Sequence, residues 1–189
     1  PTEDDDAGGG GEAGGLSPAD PHFDPFWTRV DEAKLLVPLH TGGASHDPYR
    51  KMLDGFWEPA DPPGIERGIN DIASAFMGCQ MFNERPIMDT ISALILHNLF
   101  GRFPNVRVIS VENGAFWVPF LIKLMNKNFA ITQKGYWLGG KPDRPSSVFS
   151  EYISVTPFHE DNVQQLVDVV GAKAVTFGSD YPHAEGLAS

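Results

Sequence analysis

Short apolar runs alternate along this chain with stretches in which apolar residues recur every three or four positions. The first helical stretch is "DPFWTRVDEAK", where Phe26, Val30 and Ala33 share one side, Asp24 can cap and Pro25 suits the first position. "LLVPLH" then reads as a short strand closed by His40 and a Gly42-Gly43 turn. Residues 44–67 are irregular and proline-rich, and a loop of that length in a compact domain is usually functional or disordered. Helices are expected at about 68–78 and 85–99. In the second, Ile87, Ile91, Leu94, Ile95 and Leu99 keep helical spacing before Gly101 and Pro104 end it.

"NVRVISVENG" is the next strand, with Glu112 and Asn113 at its end, and "AFWVPFLIKLMNKNF" is a strongly apolar helix. A Pro-Gly-rich excursion near 133–146 leads to a third strand, "EYISVTPF". In "EDNVQQLVDVVGAK", Val163, Leu166, Val167 and Val170 line one helix face, and "AVTFGS" is a fourth strand. Short apolar strands separated by amphipathic helices predict an α/β fold with parallel strands and right-handed crossovers.

Composition changes this picture mainly at the front. Residues 1–20 hold six acids, no Lys or Arg and a Gly-rich run, so they read as a disordered acidic segment ahead of a domain at 21–189. Without those acids the net charge of -11 falls to an ordinary -5. No basic stripe suits phosphates, so nucleic acid is not an expected partner. No apolar run reaches the roughly 18 residues of a membrane span. Cys79 is the single cysteine, which excludes a disulfide framework and a thiolate metal cluster. The chain opens on Pro1 without a signal segment, and the expectation is a cut or processed chain of cytoplasmic origin.

In a parallel α/β protein, functional side chains gather at the carboxyl ends of strands. Those ends carry His40, then Glu112 with Asn113, then Thr156 to His159, then Asp180 with His183. Each has a plain structural alternative. His40 could be a satisfied core histidine, Asp180 a helix cap, His183 a loop residue and Glu112 a solvated or salt-bridged acid. His22, His46 and His97 read as structural, and His159 as a cap or solvated loop residue. The chemistry that would unite His40 and Asp180 is metal-assisted hydrolysis or lysis, with Zn²⁺ or a similar borderline ion. A metal lowers the pKa of a water it holds toward about 7, and a nearby carboxylate can take the proton. A catalytic site needs about three protein ligands, and only two stand out here.

"HFDPFWTRVDEAKLLVPLHTGG", "GRFPNVRVISVENGAFWVPFL" and above all "VTFGSDYPHAEGL" resemble the second amidohydrolase family, the metal-dependent (β/α)8-barrel hydrolases and decarboxylases related to aminocarboxymuconate semialdehyde decarboxylase. The resemblance implies a partial TIM barrel covering approximately strands five to eight, the C-terminal half of a longer protein that stops after the eighth strand. It implies that His40 is a metal ligand and that Asp180 is both ligand and catalytic base. It places His183 beside substrate or in support of the site. Glu112 stands where the family usually has a catalytic histidine, and no His-x-His pair is present. Glu112 and Trp57, the latter in the proline-rich loop, would line the substrate side.

The expected activity is hydrolysis or decarboxylation of a small carboxylated or aromatic substrate through a metal-bound water or metal-bound substrate. The expected cofactor is a divalent metal, with Zn²⁺ the first choice. The alternative is a non-catalytic barrel relative acting as a binding or partner subunit. A third possibility is a stand-alone half-barrel, whose two open sheet edges would favour pairing with itself into a homo-oligomer.

Overall fold

The computed structural model of the protein describes residues 16–41, 84–132 and 140–179. Within them the order is α1 (Asp24–Glu32), β1 (Leu36–His40), α2 (Arg85–Leu96), α3 (Leu99–Arg102), β2 (Arg107–Val111), α4 (Trp117–Ile131), α5 (Pro145–Tyr152), β3 (Ile153–Val155) and α6 (Val163–Val170). The strands form one parallel sheet in the order β1-β2-β3. Leu36 pairs with Arg107 and His40 with Val111, while Val108 pairs with Ile153. The expected helices at 68–78 and the loop at 44–67 lie outside the described residues.

Alternation along the strands sorts the two faces of the sheet. Val108, Ser110, Ile153 and Val155 are buried, and Val37 and Leu39 pack beside them. These side chains meet the helix layer. Ile87, Ile91, Leu94 and Ile95 of α2 are buried at the spacing the sequence shows, as are Trp117, Val118, Leu121, Ile122 and Met125 of α4. Phe149 is fully buried, with its ring edge-on to Trp117 at 6.4 Å between centroids. Leu36, Pro38 and His40 stand on the opposite, more open face.

Several elements depart from the sequence pattern. Trp27 and Val30 bury the core side of α1, whereas Phe26 is 55% exposed. The cause is a polar anchor: the Trp27 indole donates to the Pro18 carbonyl at 2.7 Å. Arg102 adds to it by reaching both the Asp24 carboxylate and the Ala19 carbonyl. The apolar stretch at 85–99 breaks because Asn98 takes a left-handed conformation, φ 56°, and its amide donates to the Gly140 carbonyl at 3.1 Å. The third strand is shorter than expected, because Pro145 starts a helix that absorbs Glu151 and Tyr152.

At the fourth strand the described residues form one parallel bridge, Val155 with Val175, followed by a bond from the Thr176 amide to the Val155 carbonyl at 2.9 Å. The turn Ala172–Ala174 takes up the residues just before it. In α6, Leu166 and Val170 are buried but Val163 is 47% exposed, being at the first turn where the helix leaves the layer. No helix among the described residues is long and apolar enough to cross a membrane.

Because Phe149 joins α5 to α4 with no solvent contact, Phe149→Ala should lower the unfolding free energy by about 3–5 kcal/mol. Urea denaturation followed by tryptophan fluorescence measures this, and Trp117 should report the change directly.

Candidate functional site

The site begins with the register of β1 on β2. His40 is the last residue of β1 and lies opposite Val111, so the next residue of β2, Glu112, emerges beside it. The Thr41 amide extends the ladder by donating to the Val111 carbonyl at 3.0 Å. By strand alternation, residue 112 shares a face with Val108 and Ser110 and would point into the helix layer. Its backbone instead turns left-handed, φ 55°, and its carboxylate comes to His40 on the other face.

The Glu112 Oε2 atom is 2.9 Å from His40 Nε2, with the side chains 24% and 58% exposed. The other ring nitrogen, Nδ1, faces the Thr41 carbonyl at 2.8 Å. A carbonyl only accepts, so Nδ1 is the donor there and Nε2 is the nitrogen that faces Glu112. At 2.9 Å the contact has the length of a charge-assisted N–H···O hydrogen bond.

An ion pair this exposed contributes about 0–1 kcal/mol, whereas a left-handed conformation costs a non-glycine residue roughly 1–2 kcal/mol. The pair alone does not offset the strain, and such strain concentrates at functional sites. One imidazole and one carboxylate are donors a divalent ion accepts, two of the about three that a catalytic site needs.

The loop behind Glu112 is tightly tied. Asn113 donates its amide to the Leu39 carbonyl at 3.0 Å and to the Val111 carbonyl at 2.8 Å, joining the ends of β1 and β2. Gly114 has φ 57°, and a Cβ there would come within 2.7 Å of the Phe158 ring. Asp161 Oδ2 accepts from the Ala115 amide at 2.8 Å and from the Phe158 amide at 2.7 Å. One carboxylate therefore fastens the loop after β2 to the loop after β3. Thr156 adds a bond from its hydroxyl to the Ser110 carbonyl at 3.0 Å.

Of the residues expected from sequence, His40 and Glu112 are brought together. His159 stays apart, paired with Glu160 at 3.2 Å on the exposed side of its loop. His97 is a structural histidine, bonded at Nδ1 to the Ser17 hydroxyl at 2.8 Å. Asp180, His183 and Trp57 lie outside the described residues. No group of three or more His, Cys, Asp or Glu poised for a metal occurs among the described residues. Sequence reasoning missed Asn113 as a strand-end tie and Asp161 as a loop fastener. The usable signals were the Asn-Gly step directly after a strand and an aspartate three residues beyond Phe158.

A parallel α/β fold with its polar pair at the carboxyl ends of adjacent strands is the arrangement of a strand-end active site. The chain belongs to the amidohydrolase family, whose sequence profile matches residues 10–188. Among solved structures it is similar to an amidohydrolase from Mycobacterium avium subsp. paratuberculosis, at 28% identity and TM-score 0.70 over 90% of this chain and 38% of that one. It also shares its fold with 5-carboxyvanillate decarboxylase from Sphingomonas paucimobilis, at 20% identity and TM-score 0.58 over 88% of this chain and 45% of that one. A third is a dihydroxybenzoic acid decarboxylase from a Polaromonas species, solved with bound manganese and the inhibitor 2-nitroresorcinol, at 17% identity and TM-score 0.60 over 88% of this chain and 45% of that one. The chain thus spans less than half the length of each. No relative was found among the curated proteins.

Asp161→Ala should remove the shared acceptor of two amides and lower stability by about 2 kcal/mol, since bonds to a charged group contribute roughly 1.5–3 kcal/mol before exposure discounts them. Amide exchange by NMR should quicken at Ala115 and Phe158 together. A change at only one of them would show that the loops are not fastened through this carboxylate.

Proposed function

We propose that the protein carrying this chain is a metal-dependent hydrolase or carboxy-lyase acting on a small carboxylated or aromatic substrate. In this reading the strands are the fifth to eighth of a (β/α)8 barrel, and the site opens at their carboxyl ends. The observation that carries the proposal is the His40–Glu112 pair, with Nδ1 committed to the Thr41 carbonyl and Nε2 turned toward a carboxylate. Family membership supports it, and the decarboxylases that share the fold favour the carboxy-lyase branch.

His40 would hold the divalent ion through Nε2, and Asp180 would be a second ligand and the proton-accepting base. When bound, the ion supplies Lewis-acid polarisation of a substrate oxygen. Manganese, present in the Polaromonas relative, and zinc are both compatible with imidazole and carboxylate donors. The Asn113 amide keeps the two strand ends in register, so the imidazole is oriented before substrate arrives. His183 and Trp57 would face the substrate, the indole offering an apolar surface to an aromatic ring.

His40→Ala should lower metal content, read by inductively coupled plasma mass spectrometry, and abolish CO₂ release from carboxylated phenols. Asp180→Asn should reduce kcat about 10²–10⁴-fold, the usual contribution of a positioned base. Full activity and metal content in Asp180→Asn would sink the reading. A protein that neither binds metal nor turns over any such substrate would instead be a non-catalytic barrel relative serving as a binding subunit.

A further inference from the structure

We propose that the outer face of α4 is a homodimer interface, closed by the same face of a second copy of this chain across a two-fold axis. The inference is independent of the metal-dependent reading above.

α4 packs against α2, α5 and α6, burying Trp117, Val118, Leu121, Ile122 and Met125. The side turned away from them is apolar as well. From the N-cap onward, Phe116, Phe120, Lys123, Leu124, Lys127 and Ile131 fall within about 100° of arc on a helix of 3.6 residues per turn. All six are exposed, Phe116 by 62% and Phe120 by 61%. Phe158 and Val163, also exposed, extend the patch: the Phe158 ring lies against Gly114, and Asp161 ties its loop to Ala115, at the start of α4. Single exposed apolar side chains are ordinary, but a contiguous patch marks a contact surface.

The spacing says what covers it. From Phe116 the steps along the stripe are four, three, one, three and four residues, and from Ile131 they are the same. A stripe of that symmetry complements itself when turned end to end, as contact across a two-fold axis requires. With the axis between residues 123 and 124, Phe116 meets the partner's Ile131, Phe120 the partner's Lys127, and Lys123 the partner's Leu124. Each apolar group then faces another or the stem of a lysine, and the Lys127 ammonium reaches the Phe120 ring as a cation–π contact. Phe116, Phe120, Leu124, Ile131, Phe158 and Val163 together offer on the order of 600 Å² a side, at the low end of stable interfaces, which implies roughly micromolar affinity. A membrane surface is a poorer occupant, since two lysines on a chain of net charge -11 make no basic face.

Sedimentation velocity of the protein from about 1 to 100 µM, spanning that affinity, tests the inference. The expected result is a reversible monomer–dimer equilibrium. Phe120→Lys sets ammonium groups against each other and should weaken association at least about 30-fold, the loss expected of a hot-spot side chain. Adding Lys127→Glu puts opposite charges across the axis and should return the affinity to within about tenfold of wild type. A protein that stays monomeric overturns the inference, whether another part of the chain or an unrelated partner covers the stripe. So does a dimer that Phe120→Lys leaves intact, which would be held elsewhere, as through the open sheet edges. A dimer lost in Phe120→Lys and not recovered in the double variant overturns the two-fold pairing. Should Phe120→Lys misfold, Lys127→Glu alone decides: a carboxylate opposite Phe120 should weaken the dimer, and unchanged affinity overturns the inference.

Discussion

The hydrogen-bond register between β1 and β2 is the constraint on which the rest of the site depends. It sets His40 opposite Val111 and leaves Glu112 as the first residue free of the ladder. A slip by one residue would exchange the faces of every side chain in the strand, sending His40 into the helix layer and Leu39 to the open face. The Asn113 amide holds that register at its most vulnerable point, where the strands end. The left-handed turn at Glu112, the glycine that admits Phe158 and the double acceptor Asp161 all follow from needing to leave the sheet sharply.

Such a turn persists only on a support stiff enough to over-determine it. The support is the helix layer, where Val108 and Val155 of the sheet meet the apolar sides of α2, α4 and α5. Trp117 connects the two regions: its ring is buried in that layer, and its indole donates to the Asn113 and Gly114 carbonyls at 3.1 Å each. The core is thereby bonded directly to the loop that carries Glu112. This division of labour, with rigid elements below and chemistry on the strand ends above, is how one fold serves many reactions.

The strands and main helices were legible because burial on one face leaves a clear period in the sequence, as at Ile87, Ile91, Leu94 and Ile95 of α2. The strand-end position of His40 and Glu112 followed from the same patterns. What did not show was decided by polar contacts between distant segments. Phe26 and Trp27 compete for the core side of α1, and a carbonyl at Pro18 settles the choice. Asn98 ends α2 because Gly140 offers an acceptor 42 positions away. The helix at Pro145 was hidden by its serines and by a strand-like Ile-Ser-Val directly behind it. No local pattern reveals that Glu112 leaves its expected face, since the sign of φ at a glutamate is invisible to periodicity.

Asn113 and Leu39 lie 74 positions apart, so the strand ends that carry His40 and Glu112 meet only when a long crossover has closed. Loop closure of that length is entropically costly and is repaid late, when the helices between have packed. His40 and Glu112 are therefore strangers in the nascent chain. Whatever the pair does, it can do only once the sheet is complete, because the same step that closes the crossover brings the two side chains together.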